Sequence, residues 1–565
     1  MKTISIGNQS FSDIREKDCF YIDKTDFIRE WWEARDSVTL IARPRRFGKT
    51  LNMDMLNCFF STEYAGRADL FEGLSIWEET DENGEYAYRE LQGSYPLIFV
   101  SFASIKENAF EIAYHRICNI LMQTYKRFRF LLEEDFLTEQ EKKQFLSIDR
   151  EMPADIAADS LGTLCEYLSR YYGKKVILLM DEYDTPMQEA YVNGYWDEMI
   201  QFFRSMFNTA FKTNPYLERA IMTGCTRISK ESMFSGLNNL EVVTTTSHKY
   251  ETAFGFKEEE VFAALDSFDM GEHKEKTKEW YDGFTFGSHT DIYNPWSIIN
   301  LLDKQEFGTY WANTSSNGLI NVVIQQGSAN VKQTMEDLLA GKSLITDIDE
   351  QIIFDQLEYT DTAIWSLMLA GGYLKVLHSV FLPEGGYRYE LSLTNMEIRF
   401  MLRKMIRDWF RHPAARYNDF IKALLLGDID AMNEFMNDIA LQSFSSFDAA
   451  KNASEKDDPE RFYHGFVLGL MVDLSDRYHV ISNRESGFGR YDVMLKPIDK
   501  NSDAIIIEFK VHKPKRESSL EETVQAALEQ IQDKQYDAEL VAEGVAKEQI
   551  RHYGFAFRGK EVLIG

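Results

Sequence analysis

The stretch Arg43-Pro-Arg-Arg-Phe-Gly-Lys-Thr50 lies between a short apolar run, Ser37-Val-Thr-Leu-Ile-Ala42, and a segment with helical patterning that begins at Leu51. A loop that ends in Gly-Lys-Thr and joins a strand to a helix is typical of a phosphate-binding loop, because backbone N–H groups at a helix N-terminus surround the phosphates. This context decides the fold class of the amino-terminal half. The loop departs from the usual pattern at one position, since Arg43 stands where the first glycine is expected.

Two side chains of this loop have specific expected roles. Lys49 is expected to neutralise nucleotide phosphates, and the Thr50 hydroxyl is expected to bind Mg²⁺. An isolated Gly-Lys-Thr tripeptide also occurs at ordinary helix N-termini, so the loop alone leaves both interpretations open. The predicted nucleotide-binding residues of the loop are Arg43, Arg45, Arg46, Phe47, Gly48, Lys49, Thr50 and Leu51.

A second apolar run favours the nucleotide interpretation, because Lys175-Val-Ile-Leu-Leu-Met ends in two acids. Asp181 is expected to hold Mg²⁺, and Glu182 is expected to polarise the attacking water. A third apolar run ends at Thr223, whose hydroxyl we expect to sense the γ-phosphate. Arg227, a few residues further on, is either an arginine finger or sensor, or an ordinary surface arginine.

The spacing of apolar runs predicts the organisation of the chain. Short runs at 37–42, 95–102, 175–180 and 219–224, separated by helix-length sequence, indicate a parallel sheet flanked by helices, so residues 1–290 are predicted to be an α/β P-loop domain. Residues 291–450 are predicted to form a mostly helical middle module, and their order of helix, two-stranded wing and helix suits a winged-helix-like module. The polar run 449–459 is the predicted linker before an α/β unit over 455–565.

The last unit carries a second group of chemically distinctive residues. Glu508 and Lys510 project to the same side of one predicted strand, because alternate residues of a strand share a face. If the preceding strand is its hairpin neighbour, Asp492 joins them. Two carboxylates beside a lysine predict a Mg²⁺ site with a cation that orients water, which phosphodiester hydrolysis requires. The alternative is a surface Glu-x-Lys pair, but the buried run Ala504-Ile-Ile-Ile507 leading to Glu508 favours a site.

The amino-terminal motifs resemble those of the predicted AAA-ATPase-like proteins of bacteria, which are similar to archaeal-type, STAND-like P-loop ATPases. The resemblance rests on Tyr21-Ile-Asp-Lys-Thr25, the loop that ends at Thr50, Asp181-Glu-Tyr-Asp184 and Tyr293-Asn-Pro-Trp-Ser297, and it covers roughly residues 3 to 300. In that family an arginine is usual at the first glycine position. The resemblance implies nucleotide binding, with ATP and Mg²⁺ as cofactors.

Residues 455–565 resemble the PD-(D/E)XK nuclease superfamily, in the branch that is commonly fused behind such an ATPase. The resemblance implies that Asp492 is the motif aspartate, Glu508 the second acid and Lys510 the lysine. Asp492 and Glu508 would then bind the catalytic metal of the nuclease. Thr50 and Asp181 would bind the Mg²⁺ that accompanies the nucleotide. Residues expected to approach nucleic acid are Lys513, Lys515, Arg516, Gln530 and Tyr536.

The charge distribution restricts where nucleic acid can bind. The chain has 62 Lys and Arg against 91 Asp and Glu, a net charge of −29, which excludes a protein that coats nucleic acid through bulk charge. Residues 451–565 contain 17 basic and 21 acidic residues, so this region is close to neutral. Its cluster of Lys510, Lys513, Lys515 and Arg516 can contact phosphates locally.

Other features predict the compartment. The five cysteines are odd in number and scattered, which is poor for a disulfide framework or a zinc site. No secretory signal and no stretch of 18 apolar residues is visible, so we expect a cytoplasmic protein that does not associate with membranes.

The sequence therefore predicts a two-site enzyme. An ATPase module is expected to control a Mg²⁺-dependent nuclease that acts on nucleic acid, with DNA favoured over RNA and a homo-oligomer as a candidate assembly. The alternative is a nucleotide-dependent switch or scaffold whose nuclease-like domain binds without cleaving. Either would suit phage defence or mobile-element biology.

Overall fold

A computed structural model describes residues 2–80, 84–133, 136–212, 214–226, 233–234, 237–312, 318–349, 360–409, 414–447, 458–486, 489–499, 502–514, 516–558 and 561–565. The chain divides into two compact units. The first contains Met1–Leu319 and Ile345–Ile398, and the second contains Ile320–Leu344 and Arg399–Gly565. This division differs from the predicted boundaries near 290 and 450, and the three-domain organisation remains a prediction.

The strands of the described residues are numbered in chain order. They are β1 (Val38–Ala42), β2 (Leu97–Ser101), β3 (Val176–Asp181), β4 (Leu217–Gly224), β5 (Leu240–Val243), β6 (Phe256–Lys257), β7 (Phe284–Phe286), β8 (His289–Tyr293), β9 (Leu344–Asp347), β10 (Leu374–Phe381), β11 (Tyr387–Leu393), β12 (Tyr478–Ser486), β13 (Gly489–Pro497), β14 (Ala504–Val511), β15 (Ile550–Arg558) and β16 (Glu561–Ile564).

The helices of the described residues are numbered in the same way. They are α1 (Phe11–Glu16), α2 (Asp26–Ala34), α3 (Lys49–Phe60), α4 (Ser75–Glu78), α5 (Phe110–Arg127), α6 (Glu139–Leu146), α7 (Ala154–Tyr172), α8 (Thr185–Asn193), α9 (Trp196–Phe211), α10 (Glu258–Ser267), α11 (Lys274–Tyr281), α12 (Pro295–Lys304), α13 (Gly318–Gln326), α14 (Ala329–Leu339), α15 (Asp361–Ala370), α16 (Met396–Trp409), α17 (Ala414–Leu426), α18 (Ile429–Phe447), α19 (Asp458–Leu474), α20 (Leu520–Asp533) and α21 (Ala538–Ala542).

The first unit is built around a five-stranded parallel sheet with the order β2-β3-β4-β1-β5. The apolar runs of β1 and β3 are buried along their whole length, which is typical of strands covered by helices on both faces. The register pairs Ala42 with Gly224 and Ser101 with Asp181, so the carboxyl ends of four strands meet at one edge. The predicted α/β class and the four predicted strands are confirmed.

The fifth strand, β5, was not predicted from the sequence. Its sequence Leu-Glu-Val-Val is short, and its first three residues are only half-buried. It pairs with β1 alone, at the end of the strand order. An edge strand of this kind lacks the continuous apolar run that identified the other four.

Two smaller sheets complete the first unit. The antiparallel sheet β6-β8-β7 packs beside α10, α11 and α12, and the second sheet has the order β10-β11-β9. The elements α15, β10, β11 and α16 follow the predicted order of helix, two strands and helix. Their interpretation as a winged-helix-like module remains a prediction.

The second unit contains a mixed sheet with the order β12-β13-β14-β15-β16. β13 and β14 are antiparallel neighbours, while β14 and β15 are parallel and are connected through α20. Met494 and Ile506 on the sheet pack with Ile531 of α20 and with Tyr536 in one apolar cluster. The predicted α/β class of this part of the chain is confirmed.

Two further observations concern the whole described chain. All five cysteines are buried and free. Among the described residues, no helix has both the length and the apolar character needed to cross a membrane.

Candidate nucleotide and nuclease sites

The loop between β1 and α3 has the backbone conformation of a tight phosphate-binding turn. Gly48 caps α3 with a φ of 79°, a left-handed value that glycine adopts without steric cost, and Arg46 has a φ of 65°. Phe47 points into the core, where its ring centroid lies 4.7 Å from that of Phe284 and 5.4 Å from that of Phe286. Phe47 therefore holds the loop by packing, and its predicted role at the nucleotide is limited to its backbone.

Lys49 is buried at the first position of α3. Its Nζ donates to the carbonyl oxygens of Arg43 and Pro44, both at 3.1 Å, and lies 3.3 Å from Oε1 of Glu182. Burial opposes the charged form, but Cys225 and the surrounding carboxylates outweigh it and raise the pKa of Lys49. Lys49 is therefore a cation held inside the loop, as its predicted role requires.

Asp181 connects the ends of neighbouring strands. Its Oδ2 accepts a hydrogen bond from Thr50 Oγ1 at 2.8 Å, and its Oδ1 accepts one from Thr223 Oγ1 at 2.5 Å. Burial raises the pKa of this carboxyl, and the charge of Glu182 raises it further. A fully buried carboxylate 2.8 Å from a hydroxyl is a set of oxygen donors that fits Mg²⁺. The structure thus brings together three of the predicted residues, Thr50, Asp181 and Thr223.

Glu182 follows Asp181 in a left-handed backbone conformation with a φ of 53°. Its backbone N–H donates to Thr223 Oγ1 at 3.4 Å, and its side chain is 20 % exposed beside Lys49. The carboxylate therefore reaches the same cleft as the phosphate-binding loop. A base that activates the water attacking a γ-phosphate has to lie in such a position.

Arg43 is placed away from the phosphate side of the loop. Its guanidinium is fully buried and donates to the carbonyl oxygens of Thr244 at 2.5 Å and Ala42 at 3.1 Å. It also lies 4.5 Å from the ring centroid of Phe286. The side chain thus joins the loop to the segment after β5. This is a structural role, which differs from the phosphate contact expected from its position in the motif.

The other two arginines of the loop also contact protein groups. Arg45 donates to Oε1 of Gln188 at 2.8 Å, and its carbonyl oxygen accepts a hydrogen bond from Nε1 of Trp311 at 2.8 Å. Arg46 is exposed, and its guanidinium lies 4.4 Å from the ring centroid of Trp296. Both still line the cleft described below. Arg227 lies outside the described residues.

A cleft of about 380 Å³ opens over the loop. Its lining includes the residues of the phosphate-binding region, Gly48, Lys49, Thr50, Leu51, Asp181 and Glu182. The lining also includes Phe20, Tyr21 and Trp296, together with residues Ile4 to Gln9 except Ile6. The cleft is of the size of a small-molecule site, and both charged and apolar side chains line it.

Two contributions to this site were not predicted. Trp296 follows Asn294 and Pro295 at the start of α12, where Asn294 accepts a hydrogen bond from the backbone of Trp296 at 2.9 Å. An asparagine before a proline is a helix-start signal, but it does not predict a ligand contact. Asp184 accepts hydrogen bonds from the backbone N–H groups of Cys225 and Thr226, both at 2.9 Å, and so connects the ends of β3 and β4.

The carboxy-terminal group forms on β13 and β14. The register pairs Val493 with Ile507, so Asp492 and Glu508 are the next positions on the opposite face. Asp492 Oδ2 accepts a hydrogen bond from the backbone N–H of Phe509 at 2.8 Å. Lys510 follows Glu508 on the same face of β14. The structure therefore brings together the three predicted residues.

Gln530 of α20 joins Glu508 to Lys510. Its Nε2 donates to Glu508 Oε1 and to the Tyr536 hydroxyl, the latter at 3.0 Å. Its Oε1 accepts a hydrogen bond from Lys510 Nζ at 2.6 Å. Gln530 and Tyr536 thus support the side chains of the site, and Tyr536 is buried.

Glu508 has the properties of a metal ligand. It is 4 % exposed, and its Oε2 is buried without a hydrogen-bond partner. Burial raises the pKa of Glu508 to about 8, and the nearby charge of Asp492 contributes to the rise. An unpaired buried oxygen beside a second carboxylate fits a divalent cation.

The predicted basic cluster lies in the segment after β14. Lys513 and Arg516 are exposed, and the backbone N–H of Lys513 donates to Oε2 of Glu517 at 2.7 Å. Lys515 lies outside the described residues. Lys513 and Arg516 are thus available to solvent a few residues from Lys510.

Comparisons with known families agree with this geometry. Residues 5–234 match the family model described as Predicted AAA-ATPase, and residues 458–565 match that of the PD-(D/E)XK nuclease superfamily. The chain therefore contains an AAA-ATPase-like domain followed by a PD-(D/E)XK nuclease superfamily domain, which confirms the two resemblances. Both families imply enzymatic activity, ATPase in the first and nuclease in the second.

The similarity to a curated protein extends over the whole chain. A protein of Azotobacter chroococcum mcd 1, described as an uncharacterized protein in the vnfD 5' region, is 26 % identical over 561 residues. The match covers 96 % of this chain and 94 % of the relative. The similarity therefore spans both matched domains of this chain and the sequence between them.

The position of Arg43 leads to a first prediction. Arg43→Gly restores the usual glycine of the loop, but it leaves several buried carbonyl oxygens without a donor and removes the packing on Phe286. We expect the free energy of unfolding to fall by about 3 kcal/mol or more, read as a lower temperature of the first thermal transition.

Arg46→Gly is the matched control. Arg46 is exposed and has a positive φ, so this change should stay within about 1 kcal/mol of wild type. Weaker nucleotide binding by Arg43→Gly at unchanged stability would show instead that the guanidinium acts at the phosphates.

Proposed function

We propose that this protein binds and hydrolyses ATP with Mg²⁺ and that its nucleotide state controls a Mg²⁺-dependent nuclease acting on DNA. The observation that carries the first half is the arrangement around Asp181, whose two oxygens contact Thr50 and Thr223 beside Lys49 and Glu182. These residues come from the ends of three neighbouring strands, and all except Thr223 line one cleft. The family match supports the same nucleotide chemistry.

Each residue has a defined role in the proposed ATPase. Thr50 and Asp181 would hold Mg²⁺, which supplies positive charge to the phosphates. Lys49 would bind the β- and γ-phosphates, since its ammonium group is held within the loop. Glu182 would accept a proton from the attacking water, and Thr223 would contact the γ-phosphate.

The ATPase is tested by separating binding from hydrolysis. Lys49→Ala is expected to abolish nucleotide binding, whereas Glu182→Gln is expected to keep binding and to lower the rate of hydrolysis by about 10²–10⁴-fold. Nucleotide affinity and phosphate release are the two measurements.

Glu189→Gln is the matched control, because Glu189 lines the same cleft but contacts none of the catalytic groups described above. Hydrolysis that is unaffected by Glu182→Gln would assign the base to another residue.

The proposed nuclease uses the second site. Asp492 and Glu508 would hold Mg²⁺, and the unpaired Oε2 of Glu508 supports this assignment. Lys510 would orient the attacking water or stabilise the negative charge on the phosphate, while Gln530 positions both Lys510 and Glu508. The exposed side chains of Lys513 and Arg516 would bind the substrate backbone.

The nuclease is tested with a panel of DNA and RNA substrates in the presence of ATP and Mg²⁺. Lys510→Ala and Glu508→Gln are expected to lower cleavage by at least about 10²-fold, since the first removes the cation beside the phosphate and the second removes a charged ligand of the metal. Product formation on gels is the measurement.

Lys534→Ala is the matched control, because Lys534 follows α20 at a distance along the chain from the basic cluster. If neither wild-type protein nor variant cleaves any substrate, the protein is the nucleotide-dependent switch with a non-cleaving domain.

A chain of hydrogen bonds supports control by nucleotide. Trp311 contacts the phosphate-binding loop through its Nε1, and its backbone N–H donates to Oε1 of Glu397 at 2.6 Å. Glu397 is buried, and its Oε2 accepts a hydrogen bond from Ser297 of α12 at 2.8 Å. Glu397 lies in the first turn of α16. A change in the loop can therefore be transmitted to the start of this helix.

Control is tested with the nucleotide-binding variant. If ATP gates the nuclease, Lys49→Ala should change cleavage at least about tenfold in the presence of ATP, although Lys49 is not part of the nuclease site. The measurement is the cleavage rate with and without ATP for both proteins. Equal rates in all four reactions would show that the two activities are independent.

We further propose DNA as the target, a homo-oligomer as the active assembly and the cytoplasm as the location. The nuclease region is near neutral and has one small basic cluster, so a single copy would bind DNA weakly. An assembly would present several such clusters at once. The five free, buried cysteines suit a reducing compartment. Phage defence or mobile-element biology is a setting in which such a nuclease would serve.

A further inference from the structure

Three carboxylates outside both sites converge in the first unit. Glu258 opens α10, Asp282 directly follows α11, and Asp291 lies in β8. Each offers one oxygen, and these three oxygens all lie within 4.8 Å of one another. Three like charges at this separation repel each other strongly unless a cation or a proton lies between them.

Asp282 is the member whose position is hardest to explain without a ligand. The residue is 9 % exposed, and its Oδ1 is buried without a hydrogen-bond partner. A carboxylate oxygen removed from water and left unpaired costs free energy that its surroundings must offset. Oδ1 accepts no hydrogen bond among the described residues, so this oxygen is available to a cation.

The protein groups near the cluster supply only part of the required positive charge. Lys278 Nζ lies 2.6 Å from Glu258 Oε2 and 3.7 Å from Asp291 Oδ1. The hydroxyl of Tyr293 donates to Glu258 Oε2 at 3.1 Å. When all three carboxylates are ionised, this one ammonium group leaves two negative charges uncompensated. The side chain of Lys278 is 40 % exposed, so it can move aside.

We propose that Glu258, Asp282 and Asp291 form a binding site for a hard divalent cation of the Ca²⁺ or Mg²⁺ class. The ligand atoms are all oxygens, which such cations prefer to nitrogen or sulfur. A single Ca²⁺ with bonds of about 2.3–2.6 Å spans oxygens up to about 5 Å apart, which covers the observed separations. Water would complete the coordination on the exposed side of the cluster.

The site would stabilise one wall of the nucleotide cleft. Gly255 and Phe256 line that cleft and lie three and two residues before Glu258. Asp291 lies in β8, which leads directly into the segment that carries Trp296, another lining residue. A cation that joins α10 to β8 would therefore fix the two segments that contribute Phe256 and Trp296 to the wall of the cleft. The cation would be structural, and it would be separate from the Mg²⁺ expected beside Asp181.

The test uses the full chain, without nucleotide, with the other two metal sites removed by Asp181→Asn, Asp492→Asn and Glu508→Gln. Tb³⁺ is the probe, because Tyr293 contacts the cluster and can sensitise its luminescence. We expect saturable luminescence that Ca²⁺ displaces. Adding Asp282→Asn should weaken the affinity at least tenfold, and adding Glu259→Gln should leave it unchanged, because Glu259 is a 68 % exposed neighbour paired with Lys257.

Two further measurements test the direction of the expected changes in Ca²⁺ affinity and in unfolding temperature. Lys278→Ala should bind Ca²⁺ more tightly, because it removes the competing ammonium group. In a chelating buffer Asp282→Asn should unfold at or above the wild-type temperature, since it removes one repelling charge. In millimolar Ca²⁺ the wild type should unfold several degrees higher, and Asp282→Asn should show no such rise.

The opposite results would overturn the proposal. Absence of Tb³⁺ luminescence together with no thermal shift in Ca²⁺, Mg²⁺ or Mn²⁺ would mean that Lys278 and a shared proton alone hold the cluster. Luminescence that survives both Asp282→Asn and Glu258→Gln would place the bound ion elsewhere.

Discussion

The buried guanidinium of Arg43 is the interaction on which the nucleotide cleft depends. It stands at the end of β1, at the position where the phosphate-binding loop begins, and donates to backbone carbonyl oxygens that belong to the segment after β5. A glycine at this position would leave those carbonyl oxygens without this donor. A glycine would give the backbone of the loop conformational freedom, whereas the arginine gives it a set of fixed hydrogen bonds. These bonds hold the loop from the side that faces away from the phosphates.

This arrangement explains why the motif tolerates its irregular first position. Only Gly48 in the loop needs the left-handed freedom of glycine at a helix start, and it is retained. A second glycine, Gly224, is required for a different reason. A Cβ there would lie 2.7 Å from both Asp184 Oδ1 and the ring of Tyr183, so any side chain would separate the ends of β3 and β4. The contact of Asp184 with the end of β4 thus depends on the absence of a side chain at Gly224.

The sequence predicted the chemistry of both sites better than it predicted their surroundings. Continuous apolar runs identified β1 to β4, and alternation within strands placed Glu508 and Lys510 on one face. The prediction failed to separate side chains that face the cleft from those that face the core, as Arg43 and Phe47 show. It also assigned no role to Trp296 or Asp282, because their contacts join segments distant along the chain, and neither periodicity nor spacing encodes such contacts.

The division of the chain into units has a consequence for its synthesis. The first unit contains residues up to 319 and again from 345 to 398, with part of the second unit between them. Trp311 donates to the phosphate-binding loop, which is translated early. Glu397, which accepts a hydrogen bond from the Trp311 backbone, is translated almost ninety residues after Trp311. A ribosome that has produced the loop, β3 and β4 has therefore not yet produced the groups that fix the loop's final shape. The nascent protein would acquire its finished nucleotide cleft only when the start of α16 emerges, just before the nuclease domain is made.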